Sequence, residues 1–225
     1  MILQMTRPVQ GGLRQEAKLA ILSNHIANAN TAGFKADVFS FDHKLKANLN
    51  VDFTQGDVNT SGNKLDVALT DEGFFKIQTQ NGIRYTRNGR FSINSNGKLV
   101  TDNGNFVLGK KGEITINGTD VFINGDGDIH VDGTKIDELK IVTFKSLQNL
   151  QKEGSSLFVN KGQSGDEIAP KNISVQQGAL EMSNVSTVVE MVKMIEAVRK
   201  YESFQKMIHS FDEIDSKAAN EIGRP

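Results

Sequence analysis

Glycine is distributed very unevenly along this 225-residue chain, and that distribution limits what each part can fold into. Of the 21 glycines, 17 lie between Gly56 and Gly178, and the stretch 179–222 contains none. Glycine destabilises a helix by about 1 kcal/mol relative to alanine, whereas tight turns use its freedom to adopt a positive φ. The middle of the chain is therefore predicted to be turn-rich β structure, and the ends are predicted to be helical.

The dipeptide Asn-Gly occurs six times in the middle of the chain, and it is a strong short-range signal for a β-hairpin. Its asparagines are Asn81, Asn88, Asn96, Asn103, Asn117 and Asn124. Short β-type runs such as residues 82–86 and 113–116 lie between these turns. Residues 61–178 are therefore predicted to form an all-β, hairpin-rich domain.

The C-terminal part, residues 179–225, is predicted to consist of one long helix from about Ser186 to Ala219. Apolar residues recur there at steps of three and four, which is typical of an amphipathic helix. They form one predicted stripe: Val188, Met191, Ile195, Val198, Tyr201, Phe204, Ile208, Phe211, Ile214 and Ala218. At 1.5 Å per residue such a helix is roughly 50 Å long. Because that is too long for a small domain, the stripe is predicted to be an interface with other helices.

The N-terminal part, residues 1–35, shows a weaker helical pattern. Its face comprises Val9, Leu13, Ala17, Ala20, Ile21, Asn24 and Ala27. Pro8 and the pair Gly11 and Gly12 predict that the first dozen residues make a poor continuous helix. Gly33 is predicted to end the helix in a left-handed or otherwise special backbone conformation.

Helices at both ends of a β-rich middle imply that the two ends of the chain come together. The predicted fold class is α+β, with the N- and C-terminal helices paired as a coiled-coil-like stem and the β domain inserted between them. Residues 36–60 are predicted to be an extended linker between the first helix and the β domain.

The charge and composition argue against several classes of function. Lys and Arg number 26 against 27 Asp and Glu, which gives no electrostatic reason to expect nucleic acid as a partner. The chain has no cysteine, and its histidines show no metal-ligand spacing: His25, His43, His130 and His209. No catalytic residue, metal or cofactor is therefore predicted. No apolar run reaches about 18 residues, so no membrane span is predicted.

The acidic loop at residues 124–133 offers a calcium-binding alternative, because oxygen ligands alternate at its start. However, Ile129 stands where an EF-hand loop needs glycine, and Lys135 stands where it needs glutamate. The loop is therefore predicted to be a β-turn.

Residues 24–35 read Asn-His-Ile-Ala-Asn-Ala-Asn-Thr-Ala-Gly-Phe-Lys, and they resemble the N-terminal signature of flagellar rod and hook proteins. His25 replaces the second asparagine of that signature. Two further blocks follow in the family's order, within residues 60–100 and 177–202. Together they cover essentially the whole chain, which resembles the flagellar basal-body rod proteins. The short linker before Thr54 and the segment 107–114 favour the proximal-rod members over the distal-rod members.

The resemblance implies a structural subunit of the bacterial flagellar rod that self-assembles and transmits torque in the periplasm. It implies other rod proteins, further copies of the chain and the flagellar type III export apparatus as partners, with export that needs no cleaved signal peptide. The predicted assembly residues are Leu13, Ala20, Asn24, Ala27, Asn28, Gly33, Phe34, Val188, Met191, Ile195, Val198, Tyr201, Ile208 and Phe211. An extracellular binding module with a helical stalk is the alternative.

Overall fold

The computed structural model describes residues 2–41, 47–162 and 165–222. The chain divides into two compact units. Unit 1 combines residues 2–27 with residues 186–222, and unit 2 comprises the described residues between 28 and 185. Two terminal helices flanking a strand-rich middle confirm the predicted α+β class.

Unit 1 consists of two long helices, α1 (Ile2–Ala27) and α2 (Thr187–Ile222). The start of α2 lies within one residue of the predicted position. His25, near the end of α1, bonds Glu190 in the first turn of α2, while Gly11 lies against Phe204. Because early residues of one helix meet late residues of the other, the two helices run antiparallel. Neither helix has the length of apolar sequence that a membrane crossing requires.

The prediction that the first dozen residues make a poor helix is wrong, because α1 runs continuously from Ile2 through Pro8. Packing explains the neighbouring Gly11, since a Cβ atom added there would lie 2.5 Å from the Phe204 ring. A Cβ atom added at Gly12 would make only an ordinary contact with the Tyr201 ring, at 3.9 Å. Contact with α2 therefore outweighs the low helix propensity of this segment.

Unit 2 contains short strands joined by tight turns. Its described strands are β1 (Asp37–Phe41), β2 (Ala47–Val51), β3 (Val58–Thr60), β4 (Val67–Leu69), β5 (Phe74–Thr79), β6 (Gly82–Thr86), β7 (Phe91–Ile93), β8 (Leu99–Thr101), β9 (Phe106–Gly109), β10 (Gly112–Glu113), β11 (Val121–Ile123), β12 (Asp128–Val131), β13 (Thr134–Glu138), β14 (Ile141–Phe144), β15 (Leu150–Glu153), β16 (Leu157–Asn160), β17 (Glu167–Ile168), β18 (Val175–Gln177) and β19 (Ala179–Glu181). A short 3-10 helix, Leu147–Asn149, precedes β15.

The strands pair antiparallel. The largest sheet has the order β15-β16-β6-β5-β9-β8-β7, with β10 beside β9 and β14 beside both β5 and β17. A second sheet has the order β11-β12-β13, and the pairs β1–β2, β3–β19 and β4–β18 complete the unit. Four of the six Asn-Gly dipeptides lie in hairpin turns, between β5 and β6, β7 and β8, β8 and β9, and β11 and β12. At those four positions the hairpin prediction is confirmed.

Unit 2 has two apolar cores, and strand β5 contributes to both. Phe74 belongs to the smaller core with Tyr85, Phe144 and Phe158, and its ring makes edge-to-face contacts with those of Phe144 and Phe158. Phe75, the next residue, lies in the larger core. Successive side chains of a strand point to opposite faces, so adjacent phenylalanines supply both cores.

Both ends of unit 2 are tied together by strand pairing. Strand β3, which lies in the predicted linker 36–60, pairs with β19, which lies in the segment predicted as C-terminal helix. Strand β4 pairs with β18, so a second early strand of the unit is joined to a late one. The borders of unit 2 lie at residues 28 and 185, outside the predicted borders of the β domain at 61 and 178. Residues 42–46 of the predicted linker, including His43, lie outside the described residues.

Gly33 has the predicted left-handed conformation, with φ of +68°, but it does not end the helix, because α1 ends at Ala27. Its N–H donates to the carbonyl of Glu181 over 2.8 Å. A Cβ atom at this position would lie 2.2 Å from the backbone nitrogen of Asn88 and 2.6 Å from the carbonyl carbon of Arg87. Only glycine fits both the backbone conformation and this close approach.

We predict that Gly33→Ala destabilises unit 2 far more than Gly62→Ala. Gly62 has a similar φ of +76°, but nothing lies within 4 Å of its added Cβ. The control therefore reports only the backbone strain, about 1–3 kcal/mol, whereas Gly33→Ala adds a clash with backbone atoms. Urea unfolding followed by circular dichroism measures both losses, and equal losses would contradict the prediction.

Candidate assembly interface

Helix α2 has one covered face, on which buried and half-buried residues recur at alternating steps of three and four. From Thr187 to Asp215 these residues are Thr187, Glu190, Met194, Ala197, Tyr201, Phe204, Ile208, Phe211 and Asp215. The mean spacing of 3.5 is the heptad period, with which a helix keeps one face toward a partner. We call this face the seam.

On α1, the fully buried residues include Pro8, Gly12, Leu22 and His25. Gly11 and Gly12 meet the rings of Phe204 and Tyr201 from the seam of α2. Apolar side chains of α1 are covered too, with Leu22 buried and Leu19, Ile21 and Ile26 half-buried. The covered side of α1 therefore combines glycines and polar residues with several large apolar side chains.

The predicted single stripe on α2 is in fact two surfaces, which is a correction to the sequence analysis. Tyr201, Phe204, Ile208 and Phe211 lie in the seam, whereas the upstream stripe residues lie outside it and are exposed. In the first turns the seam is occupied instead by Glu190, Met194 and Ala197. A polar and a small residue do not contribute to an apolar pattern, so the apolar period in the sequence follows their larger neighbours.

The exposed apolar residues of α2 concentrate in its first three turns, which we call the apolar patch. They are Val188, Val189, Met191, Val192, Ile195 and Val198, with Val188 72% and Ile195 54% exposed. Farther along, the positions that continue the period of Val188, Met191, Ile195 and Val198 carry the polar residues Glu202, Gln205, His209 and Asp212. Contiguous exposed apolar surface of this kind marks interaction sites. The side chain of Ala218, the last residue of the predicted stripe, lies outside the described part of the chain.

The predicted assembly residues of α1 lie on its exposed side, away from the seam. Leu13 is 59% exposed, and Ala20, Asn24 and Ala27 are also exposed. Val9 lies on the same side. In the chain as described, this side of α1 is exposed and could contact a neighbouring molecule.

A buried polar cluster lies at one end of the seam. His25, the residue at which the chain departs from the rod signature, lies 2.9 Å from a carboxylate oxygen of Glu190 through Nδ1. Lys193 donates to the other oxygen over 2.6 Å. Burial raises the pKa of Glu190, but the hydrogen bonds from Lys193 and His25 outweigh it and hold the pKa below its usual value.

The remaining predicted assembly residues, Asn28, Gly33 and Phe34, serve the local structure of unit 2. Asn28 accepts hydrogen bonds from the backbone and hydroxyl of Thr31, which close the turn after α1. Phe34 is fully buried, and its ring lies 3.7 Å from Nζ of Lys152. A cation over an aromatic face is an attractive contact. In the described chain Gly33 and Phe34 are covered by unit 2 itself.

Glu181 bonds two buried cations in unit 2. Lys35 Nζ donates to Oε1 over 2.6 Å, and Arg87 Nε donates to Oε2 over 2.7 Å. Lys35 and Glu181 are completely buried, and Arg87 is 5% exposed. Burial lowers the pKa of Lys35 below its usual value, although the Glu181 carboxylate opposes that shift.

The remaining donors of this cluster bond backbone carbonyls. Arg87 donates through Nη1 to the carbonyls of Asp71 and Gly73, and Lys35 donates to the carbonyl of Thr54. Nearby, the Asn184 side chain accepts from the N–H of Ala36 and donates to carbonyls of the linker segment. Buried charges need such complete hydrogen bonding to be tolerated.

The three sequence blocks that carry the rod resemblance thus converge on one cluster. Lys35 closes the first block, Arg87 lies in the second, and Glu181 and Asn184 lie in the third. The sequence analysis assigned a role to none of these four residues. In the sequence, each of them stands out only as a charged or amide side chain within an otherwise apolar or glycine-rich motif. Only the fold shows that the four side chains meet.

The predicted β-turn at residues 124–128 is confirmed. The Asn124 side chain accepts hydrogen bonds from the N–H groups of Asp126 and Asp128, at 3.1 and 2.8 Å. Asp128 in turn pairs with Lys135, whose Nζ lies 2.5 Å away. Among the described residues, no group of three His, Cys, Asp or Glu side chains is placed to hold a metal ion.

We predict that Glu181→Gln destabilises unit 2 by about 3–5 kcal/mol, because it leaves two buried cations without their anion. Lys35→Met is the matched control, since it keeps the apolar stem and leaves Glu181 paired with Arg87 as a neutral pair. Its expected loss is smaller. Urea unfolding of both full-length variants measures the difference, and a larger loss for Lys35→Met would refute this account.

Comparison with known proteins agrees with the order of the three blocks. A flagellar basal body rod protein family model matches residues 11–35, a model of the flagellar hook protein FlgE/F/G D1 domain matches residues 68–131, and a model of the flagellar basal body rod FlgEFG protein C-terminal region matches residues 176–221. These matches confirm the resemblance inferred from the sequence.

Individual proteins match over nearly their whole length. The flagellar basal-body rod protein FlgF of Caulobacter vibrioides is 35% identical, with 94% of each chain covered. The flagellar hook-basal body complex protein FlhO of Bacillus subtilis is 29% identical, covering 94% of this chain and 95% of that protein. FlgG of Agrobacterium fabrum is 30% identical, covering 90% and 92%. The chain therefore belongs to the flagellar basal-body rod protein family.

Proposed function

We propose that this chain is a FlgF-like structural subunit of the proximal flagellar rod, which assembles with its own copies and with other rod proteins and transmits torque. The observation that carries the proposal is the apolar patch at the start of α2, which a chain acting alone would leave in water. Burying a valine, isoleucine or methionine side chain fully contributes about 1.5–3 kcal/mol, so six such residues supply a strong drive for association.

We further propose that α1 and α2 form a coiled-coil-like stem. The alternation of three- and four-residue steps along the seam supports this pairing. On the outside of the stem, the apolar patch of α2 and the exposed side of α1, with Leu13 and Ala20, would contact neighbouring subunits. The strands of unit 2 would add lateral contacts.

Assembly would also complete the stability of the stem. The contact between its helices includes Gly11 and Gly12 of α1 and the buried carboxylate of Glu190. It also includes Gln15, whose Oε1 atom is buried without a hydrogen-bond partner in the described part of the chain. An unmade hydrogen bond of this kind costs about 1–3 kcal/mol. Two helices joined through such a seam are expected to be marginal in isolation.

The proposed location is the basal body within the periplasm, reached as an unfolded chain through the flagellar type III apparatus without cleavage of a signal peptide. The lack of cysteine suits an oxidising compartment, and a marginal stem would keep the ends of the chain easy to unfold. We assign no catalytic role.

A FlgG-like distal-rod subunit is the second candidate, because FlgG proteins match over similar lengths. The shorter segment between Lys35 and Thr54 and the higher identity to the Caulobacter vibrioides FlgF favour the proximal rod. An extracellular binding module is a weaker candidate, since it would leave the apolar patch unused.

We predict that Ile195→Asp abolishes incorporation into rods without unfolding the free chain. Ile195 is 54% exposed, so the aspartate is solvated in the monomer but would be buried without a partner in the assembly. Complementation of a strain that lacks the chain, read as swimming and as rod content of isolated basal bodies, measures the effect.

Gln205→Asp is the matched control, because it introduces the same side chain at an exposed polar position of the same helix. It should support swimming. Ile208→Asp should behave differently from both, because Ile208 lies in the seam and its replacement should disrupt the helix pair itself. Normal swimming with Ile195→Asp would contradict the proposed interface.

We also predict that amide exchange divides the dilute monomer at the borders of unit 2. Strands such as β5 and β19 should be protected, because buried cores and the Glu181 cluster hold them. Amides of α1 and α2 should exchange much faster, because the seam stabilises them weakly. Exchange measured by mass spectrometry on a verified monomer tests this. Protection of α2 equal to that of β5 would show that the stem needs no assembly partner.

A further inference from the structure

The chain contains six Asn-Gly dipeptides, and the fold uses only four of them in hairpin turns. An Asn-Gly bond is also chemically reactive, because the backbone nitrogen of the glycine can attack the side-chain carbonyl of the asparagine. Glycine has no Cβ atom to obstruct this approach. The reaction needs both the glycine N–H and the asparagine side chain to be free. The hydrogen bonds that hold these two groups therefore rank the six sites by reactivity.

At three of the six sites the glycine backbone is held in a hairpin. Gly97 and Gly104 each donate their N–H to the carbonyl three residues earlier in the chain, over 2.9 and 2.8 Å. Gly82 is paired with Thr79 at the end of the ladder between β5 and β6. Because the attacking nitrogen is engaged in the hairpin, these sites react only after the turn has opened locally.

At two further sites the asparagine side chain is held. The Oδ1 atom of Asn124 accepts two backbone N–H hydrogen bonds within its own turn, over 3.1 and 2.8 Å. The Oδ1 atom of Asn88 accepts the N–H of Arg90 over 3.0 Å, and the following Gly89 is buried. These hydrogen bonds must break before a glycine nitrogen can approach either side-chain carbonyl.

The dipeptide Asn117-Gly118 is the exception. Both residues are exposed. Within the described part of the chain, neither the Asn117 side chain nor the Gly118 N–H makes a hydrogen bond. The neighbours on both sides are held, since Ile116 donates its N–H over 2.7 Å and Asp120 donates its N–H over 3.0 Å. The free groups that the reaction requires therefore coincide at this dipeptide.

We propose that Asn117 is a site of spontaneous deamidation that the fold selects, with the Gly118 nitrogen as nucleophile and water as co-reactant. The Gly118 nitrogen gives its proton to a base in the solvent and forms a bond to Cγ of Asn117. The bond from Cγ to the side-chain nitrogen breaks, and that nitrogen takes up a proton and leaves as ammonia. Water then opens the cyclic succinimide at either carbonyl, which leaves aspartate or isoaspartate.

The reaction changes the connection between β10 and β11. Either product carries a new carboxylate next to Gly118, where a Cβ atom would lie only 2.2 Å from Oδ2 of Asp132. Isoaspartate also adds one atom to the backbone between the held neighbours Ile116 and Asp120. The modification is a property of the single chain and does not rest on the proposed function.

The test is peptide mapping by mass spectrometry during incubation of the full-length chain in mildly alkaline buffer. Fragment spectra assign each conversion of amide to acid to one of the six asparagines, and circular dichroism verifies that the chain stays folded. We expect Asn117 to convert first. Because one hydrogen bond must break at each of the other sites, Asn117 should react faster than they do by about 2- to 10-fold.

The same incubation in concentrated urea separates the fold from the sequence. Urea unfolds the chain, and glycine follows all six asparagines, so their rates should become similar. In the folded chain, Asn117→Gln should remove most of the early release of ammonia, because the longer side chain closes its ring much more slowly. Asn103→Gln is the matched control, since Asn103 is also exposed but the N–H of Gly104 is bonded. It should leave the early release nearly unchanged.

Three results would overturn the proposal. The first is faster conversion at any of the other five sites in the folded chain. The second is an equal rate at all six sites in the folded chain. The third is a lead of Asn117 that is as large in urea as in buffer, because the fold would then have no part in selecting it.

Discussion

The buried carboxylate of Glu181 is the interaction on which unit 2 depends. Because it bonds both Lys35 and Arg87, three segments far apart in sequence must be in place before any of these charges is tolerated in the interior. The same junction explains Gly33, whose backbone donates to the Glu181 carbonyl and packs directly on the backbone at Asn88. The first and last segments of unit 2 are therefore parts of its fold and not connections to it.

In unit 1, by contrast, much of the apolar surface of the second helix is exposed. The contact between its helices brings together glycines, aromatic rings and a buried polar cluster, while the six apolar side chains of the patch on α2 remain exposed. A monomeric protein gains nothing from that distribution, because the exposed side chains contribute only when another surface covers them. Under the proposed function, a rod subunit would gain a helix pair that is weak when free and stabilised where it assembles.

Sequence reasoning succeeded where a single residue type or a local period decides the outcome. Asn-Gly turns, the limits of α2 and the positive φ of Gly33 all follow from backbone preferences that act within a few residues. It failed at Pro8 and Gly11, because the contact of Phe204 with Gly11 is worth more than the local helix propensity. It also merged two surfaces of α2, since Ala197 and Glu190 carry no apolar signal although both are buried in the seam.

The sequence by itself determined which parts are helical, which are hairpin-rich and which family the chain resembles, because those properties depend on local preferences and on ordered motifs. Only the tertiary structure decided that Lys35, Arg87 and Glu181 meet, and which side of each terminal helix is covered. A motif records that a charged residue is present but not which distant charge will lie beside it. That pairing is selected by the cost of burying an uncompensated charge, which arises only once the segments have come together.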